Sequence, residues 1–166
     1  MTSTYTDSLP TRKTSQLFGL LGWLLLCFSA SATAVFVSID GWYAALRKPA
    51  WNPPSWVFGP VWFSLYTMMA VAAWLVWREG GWKSRRGPLT FFIVQWALNL
   101  IWTPLFFGLH RPGAALVEIV LLWMAIVATL FSFYKVKPSA GLLLIPYFLW
   151  VSFAAFLNFT IWNLNR

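Results

Sequence analysis

Three sets of residues in this chain combine polar or aromatic chemistry with helical spacing. Gln95, Asn99 and Trp102 fall at i, i+4 and i+7 of one apolar run, which puts two amides and an indole on one helix face. Tyr147, Trp150, Ala154 and Asn158 make a similar stripe in the last run. Phe58, Trp62 and Tyr66 recur every four residues in another. Polar groups inside long apolar runs are costly and turn toward a protein interior. Three such stripes facing a common centre would wall a cavity with aromatic rings and give it a few amide and hydroxyl groups to orient a guest, the usual build of a small-molecule site. For any one residue the competing explanation is packing and interhelical hydrogen bonding.

Other chemistry is poorly supplied. His110 is the only histidine and Cys27 the only cysteine, which excludes an intrachain disulfide and leaves no Cys/His set for a metal. Gly-rich phosphate loops and paired carboxylates are missing from the sequence, and His110 has no acid beside it to build a hydrolase triad. Glu118 is the one acid near membrane depth. Its position suggests a pairing with Arg111 or a polar neighbour near the interface, with a proton relay as the alternative.

The elements that must position these residues follow from composition. Of 166 residues, 60% are hydrophobic and 10% charged, with mean hydropathy +0.67; soluble domains carry about 25% charged residues, so this is a membrane protein. Apolar runs cover roughly residues 17–38, 57–77, 89–109, 114–134 and 140–162, each near the ~20 residues a helix needs to cross a ~30 Å hydrocarbon core. They are continuous rather than alternating, which favours helices over a barrel. The expected fold is an all-α bundle of five transmembrane helices in one domain, 17–166, preceded by a flexible polar tail, 1–16. Arg12 and Lys13 precede an apolar run too long for a signal-peptide core, although the small residues at 29–33 leave cleavage as a lesser alternative.

The net charge is +8 and the pI about 10.2. The twelve Lys and Arg residues lie between apolar runs, where topology and anionic lipid explain them better than nucleic acid does. Arg12, Lys13, Arg78, Lys83, Arg85, Arg86, Lys135 and Lys137 fall on the side of the N-terminus, and Arg47, Lys48, Arg111 and Arg166 on the other. Eight against four predicts a cytoplasmic N-terminus and an outer C-terminus.

Between the first two runs, residues 42–62 hold Trp42, Trp51, Trp56 and Trp62 with prolines at 49, 53, 54 and 60. The prolines argue against continuous helix, and four indoles are out of place in a solvated linker. The expectation is a rigid aromatic loop that covers the cavity, with Tyr43, Trp42 and Trp51 facing it and Arg47 and Lys48 at its mouth.

These residues also carry a resemblance. Trp42-Tyr43, Lys48-Pro49-x-Trp51-x-Pro53-Pro54 and Val57-Phe58-Gly59-Pro60-Val61-Trp62-x-x-Leu65-Tyr66 are similar to motifs of the TspO/MBR family. So are Gln95-x-x-x-Asn99-x-x-Trp102-x-Pro104-x-Phe106-Phe107-Gly108, Ala115-Leu116-Val117-Glu118 and Pro146-Tyr147-x-x-Trp150-x-x-Phe153-Ala154. The resemblance spans about residues 17–165 and implies a five-helix bundle, often a homodimer, with a cavity beneath the loop joining the first two helices. It implies porphyrins such as protoporphyrin IX as ligands, without a tightly bound cofactor, and drug-like benzodiazepines and isoquinoline carboxamides as further ligands. Positions matching Tyr43, Asn99, Trp150 and Ala154 line the family pocket. Those matching Trp62 and Trp150 are implicated in light-dependent oxidative breakdown of protoporphyrin, the alternative function. Departures exist: Phe159 and Asn163 stand where the animal sterol motif needs other residues, and Ala114 replaces a pocket tryptophan. Sterol binding is therefore the weaker expectation, as is transport. The expected location is a bacterial plasma membrane, with an outer or organellar membrane as the alternative.

Overall fold

In the computed structural model, residues 9–33 and 41–166 are described, and they are helical nearly throughout. Five long helices lie side by side: α1 (Leu9–Ser29), α3 (Ser55–Arg78), α5 (Arg86–Thr103), α6 (Pro112–Val136) and α8 (Ile145–Leu164). Among the described residues, three short helices stand between them: α2 (Gly41–Ala45), α4 (Gly81–Ser84) and α7 (Pro138–Leu142). Among the described residues, four helical stretches are long and apolar enough to cross a membrane: Ser55–Arg78, Arg86–Gly108, Pro112–Val136 and Pro138–Leu164. The apolar part of α1, Ser15–Ser29, is shorter. Together they make a multi-pass membrane protein whose large exposed side chains, such as Phe63, Val117 and Phe131, suit contact with lipid.

The order of packing is set by short connections. α5 lies along α6, α6 along α8, and α1 along α3. Small residues let α3 approach its neighbours: Ala70, Ala72 and Ala73 are fully buried beside Met69 and Val76. α1 is pinned by two indoles, since Trp74 Nε1 donates to the Gln16 carbonyl and Trp96 Nε1 to the Leu26 carbonyl, each at 2.9 Å. Trp23 meets Phe92 edge-on at 5.5 Å.

The sequence-based boundaries shift in instructive ways. α1 starts at Leu9, inside the expected polar tail, and its regular helix ends at Ser29; residues 1–8 and 34–40, part of the expected tail and first span, lie outside the described residues. Pro60, expected to break helix, stands inside α3. Its missing N–H removes only the bond to the Trp56 carbonyl, one turn from the helix start, a loss that membrane helices tolerate. The third span ends in a wide turn, Pro104–Gly108, where Leu109 N donates to the Pro104 carbonyl at 2.8 Å. The fifth span is interrupted after Leu142 by a turn at residues 143–144, which separates α7 from α8.

Candidate functional site

Where α3, α5, α6 and α8 meet the segment 43–53 they enclose a cavity of about 650 Å³. Its wall is largely aromatic. α3 supplies Phe58, Trp62 and Tyr66; α5 supplies Asn99 and Trp102; α8 supplies Trp150, Ala154 and Asn158; Tyr43 comes from α2. Eight of the ten residues in the three helical stripes thus meet in one place, and Gln95 and Tyr147 do not line it.

Two hydrogen-bonded chains hold the polar groups. Tyr66 Oη donates to Asn99 Oδ1, and Asn99 Nδ2 donates to Tyr147 Oη, both at 3.2 Å. This network ties α3, α5 and α8 together at the deep end of the cavity. Trp62 lies 5.1 Å from the Tyr66 ring and 6.3 Å from the Tyr147 ring, centroid to centroid. Nearer the loop, Trp102 Nε1 donates to Asn158 Oδ1 at 3.2 Å, and Asn158 Nδ2 donates to the Pro112 carbonyl at 2.8 Å. Each asparagine uses both ends of its amide, as a buried amide must to avoid an unpaired donor or acceptor.

Six of the residues singled out from sequence stand outside this lining. Tyr147 is fully buried behind it, held by Asn99. Gln95, one turn before Asn99, is 1% exposed, and neither its oxygen nor its nitrogen meets a hydrogen-bond partner among the described residues. Trp42 stacks on His110 at 4.3 Å and meets Phe106 edge-on. Trp51 stacks on Phe156 of α8 at 5.3 Å. Arg47 is exposed, and its backbone is bound at both ends by Asn165, whose Oδ1 accepts from Arg47 N and whose Nδ2 donates to Arg47 O, each at 2.9 Å. Lys48 Nζ donates to the Ala44 and Leu46 carbonyls and sits 4.7 Å above the Tyr43 ring. Burial raises the Tyr43 phenol above its usual pKa, although the hydrogen bond it gives to Asn52 works the other way.

Glu118 departs from expectation. No bond to Arg111 or to any polar neighbour forms; both carboxylate oxygens are buried without a partner among the described residues. Arg111 precedes the first turn of α6 and lies seven residues away, roughly 10 Å along the axis. Glu118 instead faces the core with Ala115, Ile119 and Leu122.

Several lining residues were not marked by the sequence. Phe106 and Phe107 belong to the wall, and Phe106 stacks on Trp102 at 5.0 Å. The signal was present, since 106 continues the 95–99–102 stripe at i+4. Phe28 and Ser31 bring the end of the first helical segment to the same wall. Among the described residues no group of acids, His and Cys is placed to hold a metal.

Residues 18–163 match the model of the TspO/MBR family. The chain belongs to the TspO/MBR family. The tryptophan-rich protein TspO of Chlorobaculum tepidum is 49% identical over 147 residues, covering 87% of this chain and 92% of that one. The human translocator protein is 43% identical over 144 residues, covering 84% and 83%. Protein CrtK of Rhodobacter capsulatus is 40% identical over 147 residues, covering 86% and 90%. In this TspO/MBR chain the family's aromatic motifs and the cavity wall coincide at Phe58, Trp62, Tyr66, Asn99, Trp102 and Trp150.

Proposed function

We propose that this protein binds a tetrapyrrole such as protoporphyrin IX in the aromatic cavity and, by sensing, sequestering or moving it, regulates tetrapyrrole metabolism. The observation that carries the reading is the wall itself: indoles at 62, 102 and 150 and phenols at 43 and 66 around about 650 Å³. A flat apolar macrocycle gains from each ring contact roughly 0.5–1.5 kcal/mol beyond burial. Asn99 and Asn158 supply the few polar contacts. Segment 41–54 acts as the lid. Arg47 and Lys48 are the cations offered to the propionates, Arg47 foremost, since Lys48 already gives two of its three protons to loop carbonyls. The same wall suits benzodiazepine-like or isoquinoline-carboxamide ligands. The protein works as a homodimer in a bacterial plasma membrane with its N-terminus in the cytoplasm.

Quenching of tryptophan fluorescence by protoporphyrin IX tests this. Wild-type protein binds saturably, and Trp62→Ala and Trp150→Ala each weaken binding about tenfold, the equivalent of ~1.4 kcal/mol. Equal affinity in all three proteins rejects the cavity as the porphyrin site. Arg47→Ala weakens binding and lowers its salt dependence, whereas Lys48→Ala has the smaller effect.

A second reading is favoured by the presence of both Trp62 and Trp150 in the wall: light-driven oxidation of the bound porphyrin by dioxygen, with these indoles as redox partners. Under illumination with oxygen, porphyrin absorbance would then decay faster in wild type than in Trp62→Phe or Trp150→Phe. Identical bleaching leaves the binding function alone standing.

A further inference from the structure

The cavity shares a wall with a second depression that binding does not use. An open groove of about 590 Å³ runs between α3 and α8. α3 contributes Pro60, Val61 and Ser64 among others, and α8 contributes Pro146, Leu149 and Trp150. Pro60 to Met68 spans eight residues, so the groove is roughly 12 Å long. It is apolar throughout, and its one hydroxyl is spent internally, Ser64 Oγ donating to the Pro60 carbonyl at 3.0 Å.

Three observations connect this groove to the cavity. Trp150 lines both. Across the seam its ring meets Phe58 edge-on, centroids 5.8 Å apart and planes at 75°; Phe58 belongs to the cavity wall and not to the groove. α3 and α8 otherwise touch lightly, whereas α1 lies closely along α3 and α6 along α8. Deeper in the seam Trp62 meets Tyr147 edge-on at 6.3 Å, braced by the Tyr66–Asn99–Tyr147 hydrogen bonds, so only the Phe58–Trp150 pair beside the groove has to part, and a single pair of rings parts easily. Pro60 adds local compliance, since it leaves the Trp56 carbonyl without its helical donor. By contrast, the way in beneath the loop is fastened at three points: Asn165 on the Arg47 backbone, Trp42 on His110, and Trp51 on Phe156.

We propose that the α3–α8 seam is a lateral portal through which a flat lipophile passes between the bilayer and the cavity, with Phe58 and Trp150 as its gate. The proposal rests on the cavity being the porphyrin site. A macrocycle dissolved among lipid tails meets the groove directly, lies against Leu149 and Pro146, and enters when the two rings swing apart. Its ring never has to cross the loop or leave apolar surroundings, while the propionates trail toward the interface.

The test uses the full chain in phosphatidylcholine vesicles, with protoporphyrin IX as the probe and association and dissociation followed by tryptophan quenching. Leu149→Trp and Ser64→Phe fill the groove without touching the cavity wall; Leu149 is 59% exposed, so its replacement does not disturb packing. Both rate constants fall together by about tenfold while Kd stays within about twofold, as a raised barrier requires. Leu149→Ala raises both. Asn165→Ala, which unfastens the loop, leaves the association rate as in wild type. The portal is overturned if the filled variants keep wild-type rates, if only dissociation changes and Kd moves with it, or if Asn165→Ala alone speeds entry. Absence of binding to the wild type would instead overturn the tetrapyrrole reading, and the portal with it.

Discussion

Asn99 and Gln95 are one helical turn apart and opposite in circumstance. Asn99 accepts from Tyr66 and donates to Tyr147, so Asn99→Leu strands two buried phenols. The expected loss is on the order of 1–3 kcal/mol, read as a lower Tm in detergent, and Asn99→Asp, which keeps an acceptor for Tyr66, loses less. Gln95 is as deeply buried but unpartnered. Gln95→Leu therefore removes two unpaired polar atoms without breaking a bond, and Tm holds or rises. A fall in Tm for Gln95→Leu would show that its amide is satisfied. Spacing placed both residues on one face, as the structure does. Which amide is bonded depends on where Tyr66 and Tyr147 reach from other helices, information that no window of the α5 sequence contains.

At the scale of elements, long apolar runs were readable because the bilayer imposes one length and one backbone solution. The interruptions were less so. The break between α7 and α8 falls in an apolar stretch, residues 142–145, marked by no change in hydropathy but only by Pro146, which has no N–H to give the Leu142 carbonyl. Packing at the same place is tight: Gly141 lies against the backbone of Tyr134 on α6, and a Cβ there would come within 2.7 Å of the Tyr134 Cβ and 2.8 Å of its Cα. Backbone cannot step aside as a side chain does, so Gly141→Ala should lower Tm by an amount reflecting about 1–3 kcal/mol of overpacking. Gly59→Ala, which meets nothing within 4 Å, is the control and should be neutral or slightly stabilising. An equal response of the two would refute the close approach of α6 and α7. The wide turn at Pro104–Gly108 was hidden for a similar reason. The proline was visible, but the five-residue carbonyl bond that swings Phe107 into the wall was not.

Across the whole molecule, the end of α3 is joined to the start of α7 by one exposed ion pair, Lys137 Nζ to Glu79 Oε1 at 2.9 Å. The hydrogen bond and charge of Lys137 hold the Glu79 carboxyl below its ordinary pKa of 4.5. A carboxyl lowered by folding stabilises the fold above 4.5, and that contribution disappears as the pH drops through the lowered value. Glu79→Gln should thus flatten the acid side of a Tm-versus-pH curve and leave Tm little changed near neutrality, because solvent and salt screen an exposed pair. An unaltered acid limb would show that the pair contributes nothing.

Cys27 extends this to the bundle as a whole. It is the chain's only thiol, is 0% exposed and sits within the α1–α3 core cluster. Any event that lifts α1 from α3 must uncover it, and no other cysteine can contribute to the signal. A thiol-reactive fluorogenic dye would therefore turn the unlabelled wild-type chain into its own reporter of helix separation. Detergents, lipids and cavity ligands could then be ranked by the temperature at which that single sulfur becomes reactive.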